Sequence, residues 1–144
     1  MALKVEMKPN ERIIIGTAVV RNGNQRTSLI IEGHAPILRE KDILSQKSAD
    51  TPAKLIYFTI QLMYIDGKIS ENIALYNQFV AEFHEAVPSS THILLAIHNH
   101  ILNGDLYKAL KEAKQLLAYE RTLFEHAARN SSLREDTIAS AQSA

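Results

Sequence analysis

The chain has 144 residues, 46% of them hydrophobic, which is enough for the core of one domain or of two tightly packed lobes. It contains no cysteine, so disulfides, thiolate zinc sites and a cysteine nucleophile are excluded. The formal net charge is zero, but residues 1–54 carry nine Lys and Arg against six Asp and Glu, whereas residues 55–144 carry seven against ten. The asymmetry favours a partner-binding function for the N-terminal part, although so small an excess also fits ordinary scatter.

The chain starts with predicted β-strands. Apolar and charged residues alternate over residues 3–8, which is the period of a half-buried strand. Residues 12–20, rich in Ile and Val, and residues 27–31 are predicted to be further strands. Asn22 and Gly23 between them are typical of a two-residue hairpin turn, so these two strands are expected to pair. A sheet of this size cannot bury a core alone, so it should pack on its own helices or on a second copy.

The hydrophobic period changes beyond residue 48, where about four helices are predicted. Thr51 offers a capping hydroxyl, and Pro52 follows where its missing N–H costs nothing. The helix that starts there has almost no polar face, which is typical of a helix central to a core or buried in an interface. The predicted helices cover residues 51–65, 70–87, 91–102 and 105–130.

We therefore predict an α+β protein with three parts. Residues 1–48 form a small N-terminal antiparallel sheet that is a candidate for binding RNA. Residues 49–130 form a helical bundle that provides the core and a surface for partners. Residues 131–144 are polar and rich in small residues, and they are predicted to be a disordered tail.

The last predicted helix carries an apolar seam. Its large apolar residues recur every three or four positions, which is the spacing of a helix that packs on another helix. Two interpretations remain open, a core helix of its own bundle or a helix that binds a partner. The candidate partner-binding residues are Leu106, Leu110, Leu117 and Phe124.

No catalytic or metal-binding pattern is recognisable, so the protein is predicted not to be an enzyme and to need no cofactor or metal. His98 and His100 point about 200° apart on a helix and cannot share one ion. The five glycines are scattered, so no phosphate-cradling loop is expected.

The N-terminus has no signal-peptide pattern and no stretch is long enough for a membrane span, so we expect a cytoplasmic protein without membrane association.

Basic side chains on the predicted sheet are the remaining candidates for a function. They could line a surface that binds phosphates, although basic strands also occur as an ordinary solvated face. The first aromatic residue is Tyr57, so base stacking on this sheet is not expected. The candidate RNA-binding residues are Lys4, Lys8, Arg12, Arg21, Arg26, Arg39 and Lys41.

Several stretches of the chain resemble the FlbT family of flagellar regulators. One is Asn-Gly-Asp-Leu-Tyr-Lys-Ala-Leu, at the start of the last predicted helix. The resemblance implies a post-transcriptional regulator that binds the 5′ untranslated leader of flagellin mRNA and represses translation or promotes decay. It also implies FlaF as the functional counterpart. The likeness extends over about residues 1–128, in the stretches 1–16, 29–44, 49–54, 60–64 and 103–110.

A fainter resemblance links residues 11–43 to the small mRNA-binding family CsrA. It implies a strand-exchanged dimer in which Arg39 reads a GGA element. This chain is shorter than that family just before Arg39, which leaves both points open. In the alternative interpretation, Arg39 pairs with a carboxylate and only ties the strand to the first helix. The carboxylates considered are Glu32, Glu40 and Asp42.

For partners, we predict the flagellin mRNA leader, FlaF, and flagellin itself as a further candidate. The apolar first helix and the seam of the fourth predict a homodimer, or a complex in which FlaF covers one of these faces. The alternative function is a protein-binding adaptor or chaperone-like module that acts on flagellin or FlaF. Its effects on mRNA would be indirect.

Overall fold

The computed structural model describes the backbone of residues 2–142 and the side chains of residues 2–132. Antiparallel strands precede helices in the described chain, which confirms the predicted α+β class. Short 3-10 turns lie at Glu40–Asp42 and Pro88–Ser90. The strands are β1 Ala2–Met7, β2 Arg12–Ile15, β3 Ala18–Arg21, β4 Thr27–Glu32 and β5 Ile37–Arg39, and the helices are α1 Pro52–Asp66, α2 Ile69–Ala86, α3 Thr91–Leu102 and α4 Leu106–Gln142.

The strands form two small antiparallel sheets. β1 pairs with β4 in a two-stranded sheet, and β2 lies between β3 and β5 in a three-stranded sheet. Side chains of both sheets meet in one apolar cluster, so the strand region has a core of its own. The buried members are Val5, Met7 and Ile13, and the partly buried ones are Ile15, Leu29, Ile31 and Ile37.

The predicted hairpin at Asn22 and Gly23 is wrong. The run of Ile and Val breaks at Gly16 and Thr17, a two-residue loop between β2 and β3. Gly16 has a φ of 63°, which fits the first loop position of a type II′ turn and costs glycine nothing. β4 pairs with β1 rather than with β3. A continuous β-branched run favours strands throughout and does not show where the chain reverses.

α1 begins and ends as the sequence predicts. The Thr51 hydroxyl accepts a hydrogen bond from the Lys54 N–H at 3.3 Å. Gly67 has a φ of 67°, and its N–H donates to the Met63 carbonyl at 2.8 Å. The buried side chains occupy several sides of the helix, which confirms that α1 is central to a core. They are Ala53, Ile56, Tyr57, Thr59, Ile60, Gln61 and Met63.

Polar side chains on one face of α1 bond to the backbone of residues 37–44. They are spaced four and three residues apart, which places them on one side of the helix. These bonds fix the end of the three-stranded sheet against α1. The Tyr57 hydroxyl donates to the Asp42 carbonyl (2.6 Å), the Gln61 amide exchanges two bonds with Leu44 (2.8 and 2.9 Å), and the Tyr64 hydroxyl bonds twice to Ile37 (3.1 Å each).

The chain divides into two compact units, Met1–Glu82 and Phe83–Ala144. In the second unit α3 packs against α4. His100 Nε2 lies 3.9 Å from Glu112 Oε1, and Ser89 and Tyr119 share a short hydroxyl hydrogen bond. These two pairs advance in opposite directions along the chain, so α3 and α4 are antiparallel. The predicted parts, an RNA-binding sheet to residue 48, a partner-binding helical part to residue 130 and a tail after it, were defined by function. That division stays a prediction.

α4 continues to Gln142, whereas its predicted end was about Asn130. Residues 131–142 contain neither Gly nor Pro, so the sequence has no residue there that stops a helix. The prediction of a disordered tail at 131–144 stays a prediction, because the side chains from residue 133 onward lie outside the described residues.

Candidate nucleic-acid interface

The hairpin of β2 and β3 places two arginines directly opposite each other. Arg12 and Arg21 are Cα partners at the end of the hairpin away from its turn, and both side chains are exposed. Partners in an antiparallel pair share one face of the sheet, so both guanidinium groups lie on the same side. Among the described side chains, neither arginine takes part in an ion pair. Two uncompensated cations therefore stand side by side.

A hydrogen-bond network centred on Asn22 fixes this end of the sheet. The Asn22 N–H donates to the Glu11 carbonyl at 2.8 Å, and the Asn10 N–H donates to the Gly23 carbonyl at 2.9 Å. These bonds hold the loop after β1 against the segment after β3. The Asn22 side-chain amide shares its two hydrogens among three carbonyls, those of Met7 (3.2 Å), Lys8 (2.8 Å) and Gln25 (2.8 Å).

A cleft of about 350 Å³ lies at the same end of β2. The loop after β1 forms one wall and the first 3-10 turn forms the other. The Glu11 carboxylate accepts a hydrogen bond from the Lys8 N–H at 2.9 Å, so one of its oxygens is used within the loop. The cleft offers donors and acceptors together, so it could bind a ligand that both donates and accepts hydrogen bonds. Its lining residues are Lys8, Pro9, Asn10, Glu11, Glu40 and Lys41.

Arg39 lies on the other face of the three-stranded sheet. It is the Cα partner of Ile13, and the side chain of Ile13 points away from that of Arg12 because successive strand residues alternate. Arg39 is exposed, and the described ion pairs include none between it and the three carboxylates considered above. The strand is tied to α1 by Tyr57, Gln61 and Tyr64 instead.

The remaining predicted cations lie apart from one another. Lys4 is on β1, with its Nζ 3.7 Å from Glu6 Oε1, and Arg26 is exposed just before β4. The seven candidates therefore do not form one continuous patch. The structure brings together Arg12 with Arg21 across the β2–β3 hairpin, and Lys8 with Lys41 in the cleft. Arg26 is next to Lys8, because the β1–β4 register ends with Met7 opposite Thr27. Lys4 lies further along β1, and Arg39 lies on the other face of the three-stranded sheet from Arg12.

The four partner-binding candidates on α4 differ in exposure. Leu110 is 2% exposed and belongs to the protein's own core, whereas Phe124 is 55% exposed. Leu106 and Leu117 are half-buried. Three of the four candidates are therefore wholly or partly covered within the chain itself, and Phe124 is the candidate most accessible to a partner.

Tyr76 and the His, Asp and Glu side chains are the remaining groups that could carry chemistry. Burial raises the pKa of Tyr76 to about 12, and its hydroxyl has no hydrogen-bond partner among the described residues. No group of three or more His, Asp or Glu in the described part of the chain is arranged to hold a metal ion. The strand region therefore offers a ligand positively charged side chains and polar hydrogen-bonding groups.

Comparison with protein-family models matches residues 3–124 to the family described as Flagellar protein FlbT. This match covers well over half of the chain. The chain belongs to the FlbT family. The resemblance seen in the sequence is thereby confirmed, and its extent agrees with the stretches that carried it.

Curated FlbT proteins resemble the chain over most of its length. The probable flagellum biosynthesis repressor protein FlbT 1 of Bradyrhizobium diazoefficiens is 54% identical over 124 residues, which is 85% of each chain. The probable repressor FlbT of Rhodopseudomonas palustris is 50% identical over 85% of this chain and 98% of its own length. The flagellum biosynthesis repressor FlbT of Caulobacter vibrioides is 35% identical over 83% of this chain and 87% of its own length. No solved structure matches the chain.

Membership of the FlbT family confirms the prediction of a regulator rather than an enzyme, since the relatives are named as repressors of flagellum biosynthesis. Within the residues that the structure describes, no helix is both long enough and apolar enough to cross a membrane.

Sequence reasoning missed the residues that organise this interface. Asn22 looked like a turn residue, and its side-chain amide gave no signal of its three carbonyl partners. Tyr57, Gln61 and Tyr64 did carry a signal, because polar groups recur at positions 57, 61 and 64 on one side of an otherwise apolar helix.

Proposed function

We propose that this FlbT-family protein represses flagellin synthesis after transcription, by binding the 5′ untranslated leader of flagellin mRNA in the cytoplasm. The observation that carries the proposal is the uncompensated charge of the strand region. Of its seven candidate cations, only Lys4 has an ion pair among the described residues. The names of the relatives support the process, since they are called flagellum biosynthesis repressors.

In this proposal, different cations contact different parts of the RNA. Contacts to phosphates position an RNA but carry no sequence information, whereas contacts to base edges specify it. We assign the phosphate contacts to Lys4, Lys8, Arg12, Arg21, Arg26 and Lys41. Arg39 reads a base, because a guanidinium can donate two parallel hydrogen bonds to guanine. Since Arg39 and Arg12 lie on opposite faces, an RNA that contacts both has to pass around the end or the β5 edge of the sheet.

Cell-free translation tests the proposal. Purified protein is added to flagellin mRNA with its own leader, and to the same coding sequence behind an unrelated leader. We expect the protein to reduce translation, or to shorten the lifetime, of the first message alone. Equal effects on both messages, or none on either, would contradict repression through the leader.

A second candidate function is a protein-binding adaptor that acts on FlaF or flagellin, with indirect effects on mRNA. Exposed apolar side chains on α3 and α4 favour it: Leu95 is 56% exposed, Leu102 70% and Phe124 55%. Pull-down of purified FlaF or flagellin decides between the functions. Tight binding of either protein, combined with no leader binding, would establish the adaptor.

The same apolar side chains bear on oligomeric state. The predicted homodimer, or complex with FlaF, was based on α1 and α4, but many side chains of α1 are already buried in the single chain. We therefore propose that dimerisation or FlaF binding uses the exposed apolar residues of α3 and α4. Light scattering at micromolar concentration, with and without FlaF, tests this, and a monomer in both cases would contradict it.

A further inference from the structure

The arginine pair at the end of the β2–β3 hairpin is electrostatically unfavourable in the isolated protein. Arg12 and Arg21 are direct cross-strand partners on one face. Like charges directly opposite each other destabilise an antiparallel pair. No carboxylate of the described side chains forms an ion pair with either arginine, so no direct pairing within that part of the chain offsets the repulsion.

The rest of the sheet prevents the two arginines from separating. The register of the hairpin is set by the two-residue loop at Gly16, and a slip by one residue would turn Ile13 away from the apolar cluster in which it is buried. At the other end, Asn22 and Glu11 extend the hairpin with a hydrogen bond of 2.8 Å. The sheet therefore holds the backbones of Arg12 and Arg21 opposite each other with both side chains on one face, so that both can reach the same anion.

We propose that Arg12 and Arg21 form a clamp for one backbone phosphate of single-stranded RNA. Each guanidinium is a planar fork whose N–H groups match the spacing of phosphate oxygens, and a phosphate has enough acceptor positions for both. Binding would turn the repulsion between the arginines into attraction to a shared anion. This inference rests on the proposed function, because it names the contact through which the leader is held.

The adjoining cleft indicates RNA rather than an acidic protein segment. Glu11 and Glu40 line the cleft at the same end of β2 as the clamp. These carboxylates would repel a run of acidic side chains, whereas the amino groups of nucleobases can donate hydrogen bonds to them. Lys8 and Lys41 in the same cleft can contact a neighbouring phosphate. The end of β2 thus combines groups for a phosphate and for a base.

The test compares Arg12→Gln, Arg21→Gln and the double variant with wild-type protein. Lys54→Gln is the matched control, because it removes one positive charge from the same unit at a lysine that already pairs with Asp50, at 3.3 Å. Binding is measured with the flagellin leader and with a scrambled RNA of the same length. Each single arginine variant should bind both RNAs about tenfold more weakly or worse. The salt slope of binding should fall by about 0.7 per lost contact.

The most informative comparison is between the RNA affinity of the double variant and the affinities of the two single variants. If both hold one phosphate, the second substitution should add much less than the first, because the contact is already lost. Without RNA, Arg21→Gln should raise the Tm by about 1–3 °C through relief of the cross-strand repulsion, and Lys54→Gln should not. A gain in stability together with a loss of binding is not expected of a residue with a merely structural role.

The possible results separate this inference from the proposed function. Leader binding within twofold of wild type for both single variants would overturn the clamp and leave leader binding intact. If wild-type protein does not select the leader but binds any single-stranded RNA through these arginines, the clamp stands and the proposed function fails. No binding to any RNA overturns both, and so does stronger competition by polyglutamate than by RNA of equal charge.

Discussion

The hydroxyl of Tyr64 accepts a hydrogen bond from the Ile37 N–H and donates one to the Ile37 carbonyl, each at 3.1 Å. Ile37 begins β5, which is an edge strand of the three-stranded sheet. Backbone groups at a sheet edge lack a neighbouring strand to pair with. A single side chain of α1 therefore supplies what a further strand would supply, at the junction where the sheet meets the helices.

Replacing Tyr64 by Phe should destabilise the protein. The change removes both bonds and leaves a partly buried N–H and carbonyl unsatisfied, at a cost of about 1–3 kcal/mol. Urea unfolding followed by circular dichroism measures the free energy of unfolding. A loss below about 0.3 kcal/mol would show that water replaces the hydroxyl without cost.

Tyr76→Phe is the counterpart of that variant and should not destabilise the protein. The Tyr76 hydroxyl is buried and has no hydrogen-bond partner among the described residues, so its removal relieves a desolvation cost. We expect stability equal to wild type or higher by up to about 1 kcal/mol. A clear loss of stability in the same urea experiment would mean that the hydroxyl makes a bond in solution.

Tyr76 also predicts how stability responds to alkaline pH. Burial raises its pKa in the folded protein from 10.0 to about 12, so the folded state holds the proton more tightly than the unfolded state. The free energy of unfolding is therefore unaffected by the ionisation of Tyr76 below pH 10, and it falls as the pH rises from 10 towards 12. Urea midpoints across that range should fall less steeply for Tyr76→Phe than for wild type. Identical slopes would contradict the assignment.

Asn22→Ala should weaken both stability and RNA binding. It removes the amide that bridges three carbonyls, at a cost of about 1–3 kcal/mol, and it loosens the end of the sheet that carries Arg12 and Arg21. Asn24→Ala is the matched control, because Asn24 is exposed and the described hydrogen bonds do not include its side chain. Thermal melting and leader binding should both change for the first variant alone. Equal changes in the two variants would show that the network has no special role.

The helix boundaries could be predicted because their signals are local. Thr51, Pro52 and Gly67 each act on backbone groups within four residues, and the structure uses them as expected. Strand pairing was harder to predict, because it joins residues far apart in the chain. The hairpin signal at Asn22 and Gly23 was misleading, since the structure uses the Asn22 side chain to bind carbonyls and turns the chain at Gly16.

The candidate interface was predictable as a set of residue types but not as an arrangement. Composition showed that the first part of the chain is basic. Only the register of β2 with β3 shows that Arg12 and Arg21 are partners, and only the register of β2 with β5 places Arg39 on the opposite face. Register depends on the turn position, and the misplaced turn hid both relationships.

Arg39→Ala tests the base-reading role. If Arg39 donates to a guanine edge, its loss should cost about 1–3 kcal/mol on the leader and much less on a scrambled RNA, so discrimination falls. Lys8→Ala is the comparison, because loss of a phosphate contact should weaken both RNAs alike. Melting curves accompany the binding data. Lower thermal stability of Arg39→Ala with unchanged RNA binding would assign Arg39 a structural role.

Direct contact between the purified protein and the flagellin leader is the central claim, and the salt dependence of binding tests it most directly. Binding constants are measured from 50 to 200 mM salt, because each phosphate contact to a single strand contributes about −0.7 to the slope of log K against log salt. With four or more cations engaged, we predict a slope of about −3 or steeper, with tighter binding to the leader than to its scrambled copy. A slope near zero, or no leader binding at 50 mM salt, would contradict the account.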